Sequence, residues 1–156
     1  ISLAIRYPDL VGKLMLVDSA PIDGLVTPEE HYEVIELYKH SRALLYKALG
    51  AVTPELNDPA FLGMLADHAL LMNPIAYAGN ARALERFDYT GKGEAFTGPV
   101  QVMAGSKDVL ITRDMVERTA DAFPNASHRM IEGVGHSPMV EDPEGFKKLV
   151  VEFAGR

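Results

Sequence analysis

Three short runs constrain this chain more than anything else in it. They are Lys13-Leu14-Met15-Leu16-Val17, Pro99-Val100-Gln101-Val102-Met103-Ala104 and Ser127-His128-Arg129-Met130-Ile131. Each is of strand length and is bounded by glycine, proline or polar turn residues. The first two are almost unbroken in apolar character, as suits strands covered on both faces in a parallel sheet. The stretches between the runs are patterned as helices, so strands and helices alternate as they do in α/β proteins. The expected architecture is a short parallel sheet of about three strands, with a helical segment inserted after the first.

That insertion has readable helix starts. In Thr27-Pro28-Glu29-Glu30, Thr27 reads as an N-cap, proline takes the first position and Glu30 completes a capping box. The helix is expected to continue to Leu49 and stop at Gly50, burying Val34, Ile35, Tyr38, Leu45 and Leu49 as one stripe. Asp58-Pro59-Ala60 opens a second helix towards Met72, and Asn73-Pro74-Ile75 a third towards Phe87. His31 and His40 are nine positions apart, on nearly opposite sides of the first expected helix, and cannot share a metal within one chain. Met64, Leu70, Leu71 and Met72 read as packing or pocket lining. Thr90-Gly91-Lys92-Gly93 returns the chain to the sheet without the spacing of a P-loop. Thr112 opens the helix before the third strand. Asp142-Pro143 opens the last one, with Phe146, Leu149, Val150 and Phe153 on one face.

Composition removes several function classes. The net charge is −7 over 156 residues, which argues against nucleic acid or an anionic membrane as partner. No apolar run approaches the ~20 residues that span a bilayer. With no cysteine in the chain, disulfides and thiolate metal sites are excluded. Ile1 already sits in helix-like sequence with no basic leader, and a reducing, cytoplasmic setting is expected.

Chemistry concentrates at two loops. Gly133-Val134-Gly135-His136-Ser137 follows the third strand, and two glycines there let the backbone turn tightly and present an imidazole. Gly105-Ser106-Lys107-Asp108 follows the second strand and ends in an acid. Both loops lie past the carboxyl ends of successive strands, where open α/β sheets place their ligands. The order, acid before histidine, is that of the downstream part of a Ser…Asp…His triad.

Residues Gly98 to Asp108 and Glu132 to Pro143 resemble the C-terminal part of an α/β-hydrolase. Ala4 to Pro21 is similar to the helix after that family's nucleophile and the strand that follows. The resemblance implies a core of residues 1–21 and 97–156 carrying a helical cap of residues 22–96, an α/β-hydrolase fold truncated to its second half. It implies catalytic roles for His136, as proton acceptor and donor, and for Asp108, which orients the imidazole. Asp18 is the second candidate for the acid, because some relatives carry it after that strand. The family's G-x-S-x-G elbow would fall a few residues before Ile1, and Ser2 would lie on the helix behind it. Ser19, Ser106 and Ser137 are weaker candidates for a substitute nucleophile. Ser19, Met64, Met72 and Ser137 are the candidate substrate contacts.

The resemblance implies a small-molecule substrate, hydrolysis of carboxylic esters or similar activated bonds, and no cofactor. A metal-dependent hydrolase of esters or phosphotriesters is a second reading: five histidines and many carboxylates permit it, although no H-E-x-x-H spacing supports it. A divalent ion would then be sought first at His136 and Asp108, and at cap histidines brought together across a dimer. A non-catalytic fragment that binds small apolar ligands is a third. An exposed sheet edge is expected to recruit a partner, either a second copy or a complementing N-terminal half.

Overall fold

A computed structural model describes residues 1–155. Its sheet has three parallel strands in the order β1-β2-β3: β1 is Leu14–Val17, β2 Val100–Gly105 and β3 Ala126–Ile131. Leu14 pairs with Val100, and Val100 pairs with Ala126. Every residue of β2 is buried, as a central strand with covered faces requires. Helix α1 (Ser2–Arg6) precedes β1, and the cap helices follow it: α2 (His31–Tyr38), α3 (Arg42–Val52), α4 (Pro59–Ala69) and α5 (Ala76–Glu85). Helix α6 (Arg113–Asp121) joins β2 to β3, and α7 (Pro138–Glu141) and α8 (Pro143–Gly155) close the chain.

Two apolar clusters hold these parts. The larger joins Ala4, Leu16, Val100, Val102, Val116 and Phe123 with their neighbours and fixes α1 and α6 to the sheet. Ile22 and Phe96, the ends of the expected cap segment, both belong to it. The smaller is the cap's own, built on Leu45, Ala66 and Tyr77. Arg82 of α5 stacks 3.5 Å over the Tyr32 ring and donates to both carboxylate oxygens of Glu29, at 2.7 and 2.9 Å, tying α5 to the segment before α2.

The helix expected from Thr27 to Leu49 is two helices. The chain breaks at Lys39-His40-Ser41, where Ser41 Oγ accepts the Leu44 N–H at 3.3 Å and caps a new start. Helix α2 begins at His31, after a turn in which the Pro28 carbonyl accepts the His31 N–H, so Thr27 is not its N-cap. Gly50 lies inside α3, which ends at Val52. His31 and His40 therefore do not share one helix. The second start is as expected, with Asp58 Oδ1 accepting the Phe61 N–H at 2.9 Å. Lys13 closes the far end of the molecule by donating to the Phe153 and Ala154 carbonyls of α8, at 3.1 and 2.9 Å.

Candidate active site

The site forms where the loops after β2 and β3 cross. At Gly105 a Cβ would collide with the carbonyl oxygens of Val134 and Gly135, so only glycine lets the second loop lie across the end of β2. Hydrogen bonds then join the two loops: Ser106 N–H to Ile131 O (2.8 Å), Lys107 N–H to Val134 O (2.9 Å) and Gly133 N–H to Ser106 Oγ (2.9 Å). This brings Asp108 to His136. The imidazole Nδ1 lies 2.8 Å from Asp108 Oδ2, while Asp108 Oδ1 accepts the backbone N–H groups of Leu110 and Ile111 at 2.7 and 3.1 Å. The Asp108 side chain is fully buried and that of His136 is 29% exposed.

This arrangement fixes the protons. A carboxylate only accepts, so Nδ1 carries the hydrogen and Nε2 of the neutral ring is left with a lone pair. Burial pushes the Asp108 carboxyl up, but the bonds from His136, Leu110 and Ile111 together outweigh it and hold the acid below its ordinary range. The bond to Asp108 raises His136 against the opposing effect of burial, with help from the negative charges of Asp108, Asp18 and Glu141.

Asp18 sits beside the pair. Its φ of 44° is left-handed, uncommon outside glycine, and Oδ1 accepts the Gly105 N–H at 3.0 Å. Its Oδ2 is buried without a hydrogen-bond partner among the described residues. Burial first, and then the neighbouring Asp108, push this carboxyl up to about 7 against the Gly105 bond. Atoms able to bind a cation on Asp18, Asp108 and His136 all lie within 4.8 Å of one another. The direct bond between Asp108 and the imidazole occupies two of these three groups with each other.

A cavity of about 770 Å³ lies between α2, α3 and the residues after Asp108, bordered by Val109 and Leu110 but not by Asp108 or His136 themselves. Ile35, Tyr38, Leu45, Leu49, Val52 and Leu110 give it an apolar wall, and no Lys, Arg, Asp or Glu lines it among the described residues. It shares backbone with the site: Val109 and Leu110 follow Asp108, and the carbonyl of Val52 accepts the His136 N–H at 2.8 Å.

The other candidate residues are dispersed. Met64 is exposed on α4, and Met72 packs in the cap cluster. Neither borders the large cavity, because α2 and α3 wall it and α4 does not. Ser19 Oγ donates to the Ala20 carbonyl at 2.9 Å and lines a second hollow of about 400 Å³ with Ile1, Ser2 and Phe87. Ser137 stands at the start of α7, where its N–H donates to Glu141 Oε2 at 3.2 Å. Ser2 Oγ is bonded to the Tyr89 hydroxyl at 2.5 Å. Sequence reasoning missed Glu141. Its signal was there, a Ser-Pro helix start followed by an acid one turn later.

The parallel sheet, the inserted cap, and an acid and a histidine on successive strand ends define the class: this is the C-terminal half of an α/β-hydrolase fold. No family model matches the chain. The crystal structure of the enol-lactonase from Burkholderia xenovorans LB400 superimposes with a TM-score of 0.82 at 21% identity, over 99% of this chain and 60% of that one. RutD of Caulobacter segnis, provisionally named a carbamate hydrolase, is 29% identical over 168 residues, which cover 98% of this chain and 60% of that protein. A 2-hydroxy-6-oxononadienedioate/2-hydroxy-6-oxononatrienedioate hydrolase of a Pseudomonas species is 26% identical over 99% of this chain and 58% of its own length. The chain thus spans about 60% of the curated relatives it matches.

Proposed function

We propose that this chain carries the acid–base half of a hydrolase that cleaves carboxylic esters or similarly activated carbonyl compounds. The observation that supports it is the 2.8 Å bond from His136 Nδ1 to the buried Asp108, which leaves Nε2 as the proton acceptor. In this reading Nε2 takes the proton of an attacking hydroxyl group as the new carbon–oxygen bond forms. It returns that proton to the departing alcohol oxygen as the old bond breaks. Asp108 stabilises the imidazolium in between. The attacking hydroxyl belongs to a serine supplied by the family's preceding half, or to water when the chain acts alone. The relatives are named for different reactions, so the resemblance does not select the bond. In this reading an uncharged molecule with an apolar acyl or aryl group suits the cavity wall, whereas a dicarboxylate would lose hydration with no Lys or Arg and only the His31 imidazole to meet its charges.

The test is release of 4-nitrophenol from 4-nitrophenyl hexanoate by the purified chain, with and without a strong chelator. Slow turnover that resists the chelator and falls at least about tenfold in His136→Ala is expected. Turnover unchanged in that variant would sink the reading. Turnover lost to chelator and restored by zinc would replace it with metal-assisted attack of water.

A further inference from the structure

Glu141, five residues after His136, ends α7. Its carboxylate gathers backbone amides from both sides of the histidine and from the cap. The Gly135 N–H donates to Oε1 and Oε2 at 3.1 and 2.9 Å, the Ser137 N–H to Oε2 at 3.2 Å and the Glu55 N–H to Oε1 at 3.0 Å. Gly135 and Ser137 flank His136, and Glu55 lies where the chain leaves α3 for α4. Bonds to an ionised acceptor are stronger than neutral ones, so a single side chain braces this junction effectively. The junction is also tight. A Cβ at Gly135 would stand 2.6 Å from Val52 O and 2.5 Å from Pro54 Cδ, so the histidine's loop lies directly on the end of α3. The Glu55 side chain in turn pairs with Lys107, the neighbour of Asp108.

We propose that Glu141 is a positioning residue for His136: it fastens the histidine's loop to the end of the cavity-lining helix α3, so that cap and imidazole are placed together. Val52 makes this linkage consequential. It lines the cavity and its carbonyl accepts the His136 N–H, so in this proposal a ligand that shifts α3 would shift the imidazole. Glu141 reaches the imidazole through backbone and through its charge. The acidic groups whose charges act on that ring are Asp108 after β2, Asp18 after β1 and Glu141 itself, and all three favour the protonated ring. This goes beyond the proposed reaction and does not depend on which bond is cleaved.

The experiment compares wild type, Glu141→Gln and Glu141→Ala by NMR, with two readouts. One is hydrogen exchange at the Gly135, Ser137 and Glu55 amides. The other is the titration midpoint of the His136 ring. In Glu141→Ala, exchange at all three amides should accelerate about tenfold or more, the loss of roughly one hydrogen bond each. In Glu141→Gln, which retains one acceptor oxygen without the charge, the loop should stay in place while the midpoint falls by about 0.3 pH units or more. Exchange within twofold of wild type at these amides in Glu141→Ala overturns the proposal. Faster exchange with an unmoved midpoint in both variants also overturns it, since Glu141 would then brace a loop without bearing on the imidazole. Should Glu141→Ala fail to fold, the His136 midpoint in Glu141→Gln decides, and a midpoint unmoved from wild type overturns the proposal. Neither readout needs turnover, so failure of the hydrolase reading would be seen separately.

Discussion

Asp18 carries the least comfortable conformation at the site: a left-handed backbone, a buried Oδ2 without a partner among the described residues and a second carboxyl close by. Its ionisation should therefore be visible in stability. The folded value is raised to about 7 from an ordinary 3.8. Between these values the unfolded chain gives up its proton first, so the folded state loses stability as pH rises and does not regain it above 7. Asn reproduces the protonated form, can accept the Gly105 N–H and tolerates a positive φ. Asp18→Asn should match wild type in melting temperature near pH 4 and exceed it by about 3–6 °C at pH 8. Thermal scans across that range check this, and a gap that does not grow with pH refutes it. The pairing of His136 with Asp108 was legible from sequence because each lies in the loop after a strand, in its own local motif. Asp18 entered only as an alternative acid. Its closeness to both depends on the pairing of β1 with β2, which no local pattern encodes.

At the scale of elements, the crossing of the two loops depends on what glycine leaves out. A methyl group at Gly105 meets the backbone of Val134 and Gly135, which can yield only by moving the segment that carries His136. Gly105→Ala should cost about 1–3 kcal/mol in urea unfolding, the usual range for overpacking a filled interior. Gly12→Ala serves as the control, because nothing lies within 4 Å of a Cβ there, and it should stay within about 0.5 kcal/mol of wild type. Equal losses in the two variants would show that the crossing tolerates displacement. The strands could be read because their burial is continuous or bounded by turn residues. The break between α2 and α3 was missed because the apolar stripe continues on both sides of it. Ser41 supplied a local cap signal that competed with that stripe, and the cap prevailed. The cavity was legible only in part: the stripe of Val34, Ile35, Tyr38, Leu45 and Leu49 was read as a buried face but lines the cavity, with Val34 exposed, while Met64 and Met72, chosen as substrate contacts, fall outside it.

For the molecule as a whole, the unequal burial of its strands sets an expectation about association. Every residue of β2 is buried, whereas in β1 only Leu16 is, with Leu14, Met15 and Val17 half-exposed. Among the described residues β1 pairs with β2 alone, so its other edge presents backbone donors and acceptors beside apolar side chains. An edge of this kind templates further pairing unless charge or proline blocks it, and β1 holds neither. We propose that the purified chain self-associates through this edge at micromolar concentration. Leu14 and Leu16 join the main cluster, so alternation puts Met15 on the opposite face, where a charge disturbs that cluster least. Met15→Lys should shift the mass measured by light scattering from dimer towards monomer while leaving the circular dichroism spectrum unchanged. A wild-type monomer at all concentrations would show that β1 is protected by its own short length. A dimer that survives Met15→Lys would move the contact to another face and leave the β1 edge free.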